Sequence, residues 1–394
     1  MKTVTLSASW KPKPGYVPGS LDIEGKLTYT GSEVWFKPEL KIIERPKPVI
    51  SSDDEVIIKV RACGICGSDV RLIKTDDDGY TAYSGLMSLP RVIGHEISGE
   101  IAEAGKNAIN KLTNRIFETG EPVILESCQW CGKCIHCCEG LVNSCENIQS
   151  VGFNTDGGFA EYIKVKDKHC WSIRSLKNKY SKEDFFVSAS LIEPAGTSYV
   201  AAIERGGGIN PGENAVILGG GPIGLAAGAI LKRAGANKLI LSEISETRSA
   251  IGKKMGFDHI INPVREDLAE RILEYTSGIG AKIYIETTGS PHLLIKDIEN
   301  TIMRGRKINS TVVLVSKTHD KIPITGEIFQ IRNANIVGIE GDTGSNIFPK
   351  LIGLIESGMD LTPMVTSRIT LEEVPQKINE LNKSKIDCKV VAVV

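Results

Sequence analysis

The segment from Asn214 to Glu243, NAVILGGGPIGLAAGAILKRAGANKLILSE, restricts the possible folds more than any other part of the chain. Ala215 to Leu218 form an apolar run of the kind that becomes a buried parallel strand. Gly219, Gly221 and Gly224 follow at once as G-x-G-x-x-G. An Ala-, Leu- and Ile-rich stretch comes next, and Leu239-Ile240-Leu241 supply a second apolar run ending in Ser242 and Glu243. Strand, glycine turn, helix and strand in this order predict one βαβ unit. The first glycine permits the tight turn, the second lets the backbone approach a pyrophosphate, and the third lets helix pack on strand. A helix beginning near Pro222 aims its free N–H groups and positive dipole end at the phosphates. Proline suits that first turn, where no N–H is needed. Gly219, Gly221, Pro222, Ile223 and Gly224 are therefore assigned to a bound dinucleotide. Glu243 stands 24 residues after Gly219, where such units carry the acid that grips a ribose 2′-hydroxyl. Its carboxylate would repel a 2′-phosphate, so NAD is expected over NADP. Arg248 lies near enough to receive such a phosphate and is the remaining cofactor-binding candidate.

A length of 394 residues gives room for two domains with large cores. Hydrophobic content of 41% and charged content of 24% are those of an ordinary soluble globular protein. The formal net charge of −1 gives no electrostatic reason to expect nucleic acid or an anionic membrane as partner. MKTVTLSASWKPKPG at the N-terminus has no apolar core of a secretory signal. No apolar run approaches the roughly 18 residues of a membrane span, so the cytoplasm is the expected compartment. There, ten cysteines argue for metal or catalysis rather than disulfides. Six of the ten fall between Cys128 and Cys145.

Cys131, Cys134, Cys137 and Cys145 follow C-x2-C-x2-C-x7-C, with Gly132 easing the turn. Four thiolates so close in sequence can wrap a tetrahedral, closed, structural zinc. Cys128, Cys131, Cys134 and Cys138 also fit C-x2-C-x2-C-x3-C, an iron–sulfur spacing, but Glu139 follows where that run has proline. Zinc is expected, with Cys128 and Cys138 as spare thiols and His136 on the surface. A second, dispersed set comprises Cys66, His95, Glu96 and Glu193. Singly each has a bland explanation: a buried cysteine, a strand start, a helix cap. Together they offer a thiolate, an imidazole and one or two carboxylates, a mixture suited to a zinc that keeps an open position. Asp69, close behind Cys66, could take the free N–H of His95.

Elsewhere, the first fifty residues are punctuated by proline and read as short strands and extended connections. Glu55 to Arg61 is a clear strand, and 75–88, with Asp76, Asp77 and Asp78, reads as a surface loop or a lid. Residues 106–120 form a polar connection. Apolar runs at 283–285, 312–315 and 336–337 extend the sheet region over about 197–340. An amphipathic stretch near Leu371 to Leu381 and a last strand from Lys389 return to the first domain.

With these motifs assembled, the chain resembles the zinc-dependent medium-chain alcohol/polyol dehydrogenase family over nearly its whole length. Gly64-Ile65-Cys66-Gly67-Ser68-Asp69, Gly94-His95-Glu96, the four-cysteine lobe, Leu191-Ile192-Glu193-Pro194 and Gly219 to Gly224 carry the resemblance. It implies an α/β fold: a GroES-like, β-rich catalytic domain at 1–196 and 341–394, and a Rossmann domain with a doubly wound parallel sheet at 197–340. It implies Cys66, His95 and Glu193 as catalytic zinc ligands, Glu96 as an exchanging ligand, Ser68 as the hydroxyl that relays the substrate proton, and a homo-oligomer, dimer or tetramer. The glutamate in place of a third cysteine is similar to the polyol and threonine dehydrogenase branches. The N-terminal fifty residues, the 76–88 insertion and the 106–120 connection look like the scyllo-inosose dehydrogenases of inositol breakdown. The implied reaction is hydride transfer between NAD and a secondary alcohol of a cyclic polyol or its keto form. L-Threonine 3-dehydrogenase and a sorbitol/L-iditol-type dehydrogenase are the alternatives within the family. An NAD-binding iron–sulfur carrier or sensor is the alternative outside it, and it has no use for Cys66, His95 and Glu193 together. Extra cysteines at 128 and 138, and Ala195-Gly196-Thr197 after Glu193, depart from the family pattern.

Overall fold

In the computed structural model, which describes residues 1–394 except 319, 345, 385 and 386, the chain divides into two units. One comprises Met1–Glu193 and Val365–Val394, the other Pro194–Met364. The first unit is built on a seven-stranded sheet running Cys170–Ser172, Pro122–Leu125, Glu96–Ala104, Glu55–Ile65, Lys389–Val393 and Val365–Thr370, with Tyr162–Lys166 also paired to Glu55–Ile65. All its pairings are antiparallel except that between the last two strands. Val56, Ile58, Val60, Ile97, Ile101 and Val390 pack into one core under this sheet, as alternating strand residues must when one face is buried. A smaller sheet joins Trp35–Glu44, Lys2–Trp10 and Arg91–Val92. The N-terminal strands are therefore long, not short as the prolines suggested. Pro12 and Pro14 lie in the connection, and Pro38 sits on an edge strand where a missing N–H costs no ladder bond.

The second unit is a six-stranded parallel sheet in the order His259–Ile261, Leu239–Ser242, Ala215–Leu218, Ile283–Glu286, Thr311–Leu314, Asn335–Gly338. Chain order reverses at Ala215–Leu218, which makes the sheet doubly wound. The strand at 259–261 gave no sequence signal, being three residues long with a histidine at its start. Among the described residues, 341–344 and 346–364 belong to this unit rather than to the first. The helix Ile347–Glu356 buries Ile347, Phe348, Leu351, Ile352 and Ile355, and Lys350 pairs with Glu204 at 3.0 Å. Among the described residues, no helix is long and apolar enough to cross a membrane.

Candidate active site and metal centres

Cys66 follows the strand Glu55–Ile65 and opens the helix Gly67–Ile73, while His95 precedes the strand Glu96–Ala104. These two strands are antiparallel neighbours with Gly64 opposite Glu96. That register delivers a thiol, an imidazole and a carboxylate to one place, their donor atoms all within 4.8 Å of one another. Only glycine fits at 64, because a Cβ there would overlap the Glu96 carboxylate. Asp69 is fully buried; it accepts the Cys66 N–H at 2.8 Å and faces His95 Nδ1 at 3.5 Å. A carboxylate on Nδ1 leaves Nε2 as the donor atom for a cation. Ser68 Oγ stands 3.5 Å from that Nε2.

Burial alone would lower the His95 pKa, but the Asp69 carboxylate and the Cys66 thiol carry it well above the ordinary histidine value. Burial likewise opposes the Cys66 thiolate, and His95 overcomes it and lowers the thiol pKa. The site therefore favours anionic sulfur, the form that a metal ion would need, and His95 would have to give up its Nε2 proton to ligate one.

Two features depart from the sequence picture. Glu193, in the first turn of the helix Ile192–Tyr199, is buried but does not belong to the 4.8 Å group among the described residues. Its carboxylate adds to the raised pKa of Lys389 and of Cys63. The other is Lys389, which the motifs did not mark. Its Nζ lies 2.5 and 2.7 Å from the two Glu96 oxygens and 3.1 Å from the Ile65 carbonyl oxygen. Both side chains are buried, at 2% and 0% exposure. Burial works against the ammonium, yet Glu96 and Cys66 raise its pKa. The available signal was a lysine opening the otherwise apolar strand KVVAV, since lysine is almost never fully buried unpaired.

The cysteine lobe forms as a local wrap. Gly132 takes φ +83°, and Cys134 precedes the short helix Ile135–Cys138. The sulfurs of Cys131, Cys134, Cys137 and Cys145 converge within 4.8 Å. Backbone N–H groups donate to them: Cys131 and Asn147 to Cys145 Sγ, at 3.3 and 3.4 Å, and Lys133 to Cys131 Sγ at 3.4 Å. The Lys133 N–H is the main reason that the Cys131 pKa falls to about 6, while burial and the neighbouring thiols push Cys137 up to about 12. Four sulfurs that cannot all ionise by themselves suit a divalent cation. Cys128 and Cys138 lie outside this group, so the convergence is that of the zinc spacing. Cys145→Ser is expected to remove one zinc per chain and lower the unfolding temperature by several degrees. Cys138→Ser should leave zinc content and unfolding unchanged. Metal analysis with calorimetry checks both.

At the glycine turn, Gly219 has φ +102°, and a Cβ on Gly224 would overlap the carbonyl oxygen of Gly219. Gly221, by contrast, faces open space, with nothing within 4 Å of a Cβ, and it caps the helix Pro222–Arg233 with φ −73°. Such a cradle fits a pyrophosphate approaching the helix N-terminus. Glu243 borders it: its carboxylate accepts from Gly220 N at 2.6 Å and Ser245 N at 2.7 Å. Arg248 stands on the same side, in the helix Glu246–Lys254 capped by Ser245, its Cβ 3.4 Å from a Cβ built on Gly220. Gly221→Ala should fold normally and bind NADH at least about tenfold more weakly, because the methyl takes up ligand space. Gly224→Ala should destabilise the fold itself. NADH fluorescence titration and thermal unfolding separate the two effects.

Comparison with known proteins agrees with this architecture. Residues 52–175 match the alcohol dehydrogenase GroES-like domain model, and 222–357 match the zinc-binding dehydrogenase model. The chain is 51% identical over 390 residues to a Thermotoga maritima protein named scyllo-inosose 3-dehydrogenase, covering 99% of each. It is 31% identical to the L-threonine 3-dehydrogenase of Pyrococcus horikoshii, over 84% of this chain and 87% of that one. A solved Thermotoga maritima structure, provisionally described as an alcohol dehydrogenase, superposes with a TM-score of 0.98 at 51% identity and covers all of both chains. The GroES-like sheet, the doubly wound dinucleotide unit and the two metal-ligating clusters thus occur in a chain that belongs to the zinc-binding dehydrogenase family, an oxidoreductase that works with zinc and a nicotinamide dinucleotide.

Proposed function

We propose that this enzyme interconverts a secondary alcohol of an inositol-type cyclic polyol and the corresponding ketone, with NAD as the hydride carrier. The observation that carries the reading is the gathering of Cys66, His95 and Glu96 within 4.8 Å, in a chain half identical, end to end, to a protein named scyllo-inosose 3-dehydrogenase. Zinc, when bound there, supplies Lewis acidity toward the substrate oxygen, and the nicotinamide accepts the hydride.

The chain's own residues do the rest. Cys66, His95 and Glu96 hold the metal, and Glu193 is the second buried carboxylate available to it. Asp69 orients the His95 ring through Nδ1, and Lys389 holds the Glu96 carboxylate. The Ser68 hydroxyl, beside His95 Nε2, receives the substrate hydroxyl proton and passes it toward solvent. Cys131, Cys134, Cys137 and Cys145 hold a structural zinc. Gly219, Gly221, Pro222, Ile223 and Gly224 seat the pyrophosphate, Glu243 accepts from the adenosine ribose, and Arg248 lines the same pocket. We place the enzyme in the cytoplasm as a homo-oligomer; ten free cysteines among the described residues fit a reducing compartment.

The test is a substrate screen with NAD, following NADH absorbance, over inositols, inososes, alditols and L-threonine. Cyclic polyols should give the highest kcat/KM. A preference for L-threonine or sorbitol would transfer the reading to the corresponding alternative. Glu243→Ala should weaken NAD binding and relax discrimination against NADP, since the ribose hydroxyl loses its acceptor and a 2′-phosphate its repulsion. An unchanged NAD/NADP ratio would mean that another residue reads the ribose.

A further inference from the structure

The N-terminal segment and the 75–88 segment have no part in the chemistry above, yet they are built together. Thr28 bridges to Met87 and Phe36 to Tyr80. The Gly31 N–H donates to the Gly85 carbonyl oxygen at 3.1 Å, and a Cβ on Gly31 would meet the carbonyl oxygen of Tyr83 at 2.8 Å. Lys13 pairs with Asp76 at 2.8 Å and lies over the Tyr80 ring. Farther along, Asp156 receives both Arg45, from the end of the N-terminal sheet, and Arg91, at 3.0 and 3.4 Å. It thereby braces the turn that carries Phe153.

One aromatic pair connects this assembly to the metal ligands. The Tyr83 ring stacks on Phe153 with centroids 4.9 Å apart and planes 17° apart. Phe153 in turn lies 5.0 Å from the His95 ring. Phe153 is buried and Tyr83 half-buried, so the tyrosine is the more accessible ring of the pair. Two stacked rings held on braced backbone make a flat, rigid, apolar wall. A six-membered ring whose hydroxyls are all equatorial presents only axial C–H groups on its two faces, and such a face is flat and apolar. An open-chain polyol has no such face.

We propose that Tyr83, backed by Phe153, determines specificity by taking the axial C–H face of a cyclic polyol bound at the Cys66–His95–Glu96 site. This deepens the polyol reading and rests on it. The experiment compares wild type with Tyr83→Phe and Tyr83→Leu as zinc- and NADH-loaded enzyme. Calorimetry measures scyllo-inositol binding, and turnover of scyllo-inosose gives KM and kcat separately. Tyr83→Leu should weaken scyllo-inositol binding and raise KM by about tenfold with kcat little changed, because stacking holds ground state and transition state alike. Tyr83→Phe should bind as wild type does, and zinc content and NADH affinity should be the same in all three. Wild-type binding in Tyr83→Leu, or a Tyr83→Phe as weak as Tyr83→Leu, overturns the stacking role alone. A drop in kcat with unchanged KM also overturns it. Wild-type enzyme that neither binds scyllo-inositol nor turns over scyllo-inosose, while oxidising another alcohol, overturns the polyol reading and this inference with it.

Discussion

His95→Ala is expected to bind one zinc fewer per chain than wild type and to lose at least about a thousandfold in kcat/KM. The magnitude follows from the several kcal/mol that a Lewis-acid metal contributes to a transition state, at about 1.4 kcal/mol for each factor of ten. Removing the imidazole takes away one of three clustered donors and leaves Asp69, which is fully buried, without the ring it faces at 3.5 Å. NADH binding should persist, because the glycine turn and Glu243 belong to the other unit. Zinc analysis, NADH titration and steady-state kinetics on one protein sample check all three parts. A variant that keeps full zinc and near-normal turnover would place the metal elsewhere. Ser68→Ala provides the contrast: zinc should be retained while turnover slows, since only the proton path is cut.

Lys389→Met should produce the largest loss of stability of any substitution near this site. Lys389 and Glu96 are buried together at 2% and 0% exposure, and breaking such a pair typically costs about 3–5 kcal/mol because one charge is left uncompensated in the interior. Chelator-treated enzyme should show the full effect in denaturant unfolding, and zinc-loaded enzyme a smaller one, since a cation also compensates Glu96. The double variant Lys389→Met/Glu96→Gln should be less destabilised than the two single losses combined. Additive losses would show that the two groups do not interact as the geometry indicates. Lys389→Arg should recover only part of the stability, because a planar guanidinium does not fill the place of a compact ammonium that also donates to the Ile65 carbonyl oxygen.

What could be read from the chain without its structure is what local geometry dictates. The glycine turn is legible because each glycine answers a constraint set within a few residues: a positive φ at Gly219, open space at Gly221, a close approach at Gly224. The four-cysteine lobe is legible for the same reason, its ligands needing only one turn at Gly132 and one short helix to converge. Tertiary structure decided the rest, where partners are distant in sequence. Glu96 and Lys389 are separated by 293 positions, and they meet only because the final strand pairs with Glu55–Ile65, which also pairs with Glu96–Ala104. The same pairing of Glu55–Ile65 with Glu96–Ala104 set Cys66 beside His95 and Glu96, 29 and 30 positions on. It was packing, too, that stacked Tyr83 on Phe153. Sequence spacing records the bends of a chain, whereas which buried charge meets which depends on strand pairing and on a core that excludes water.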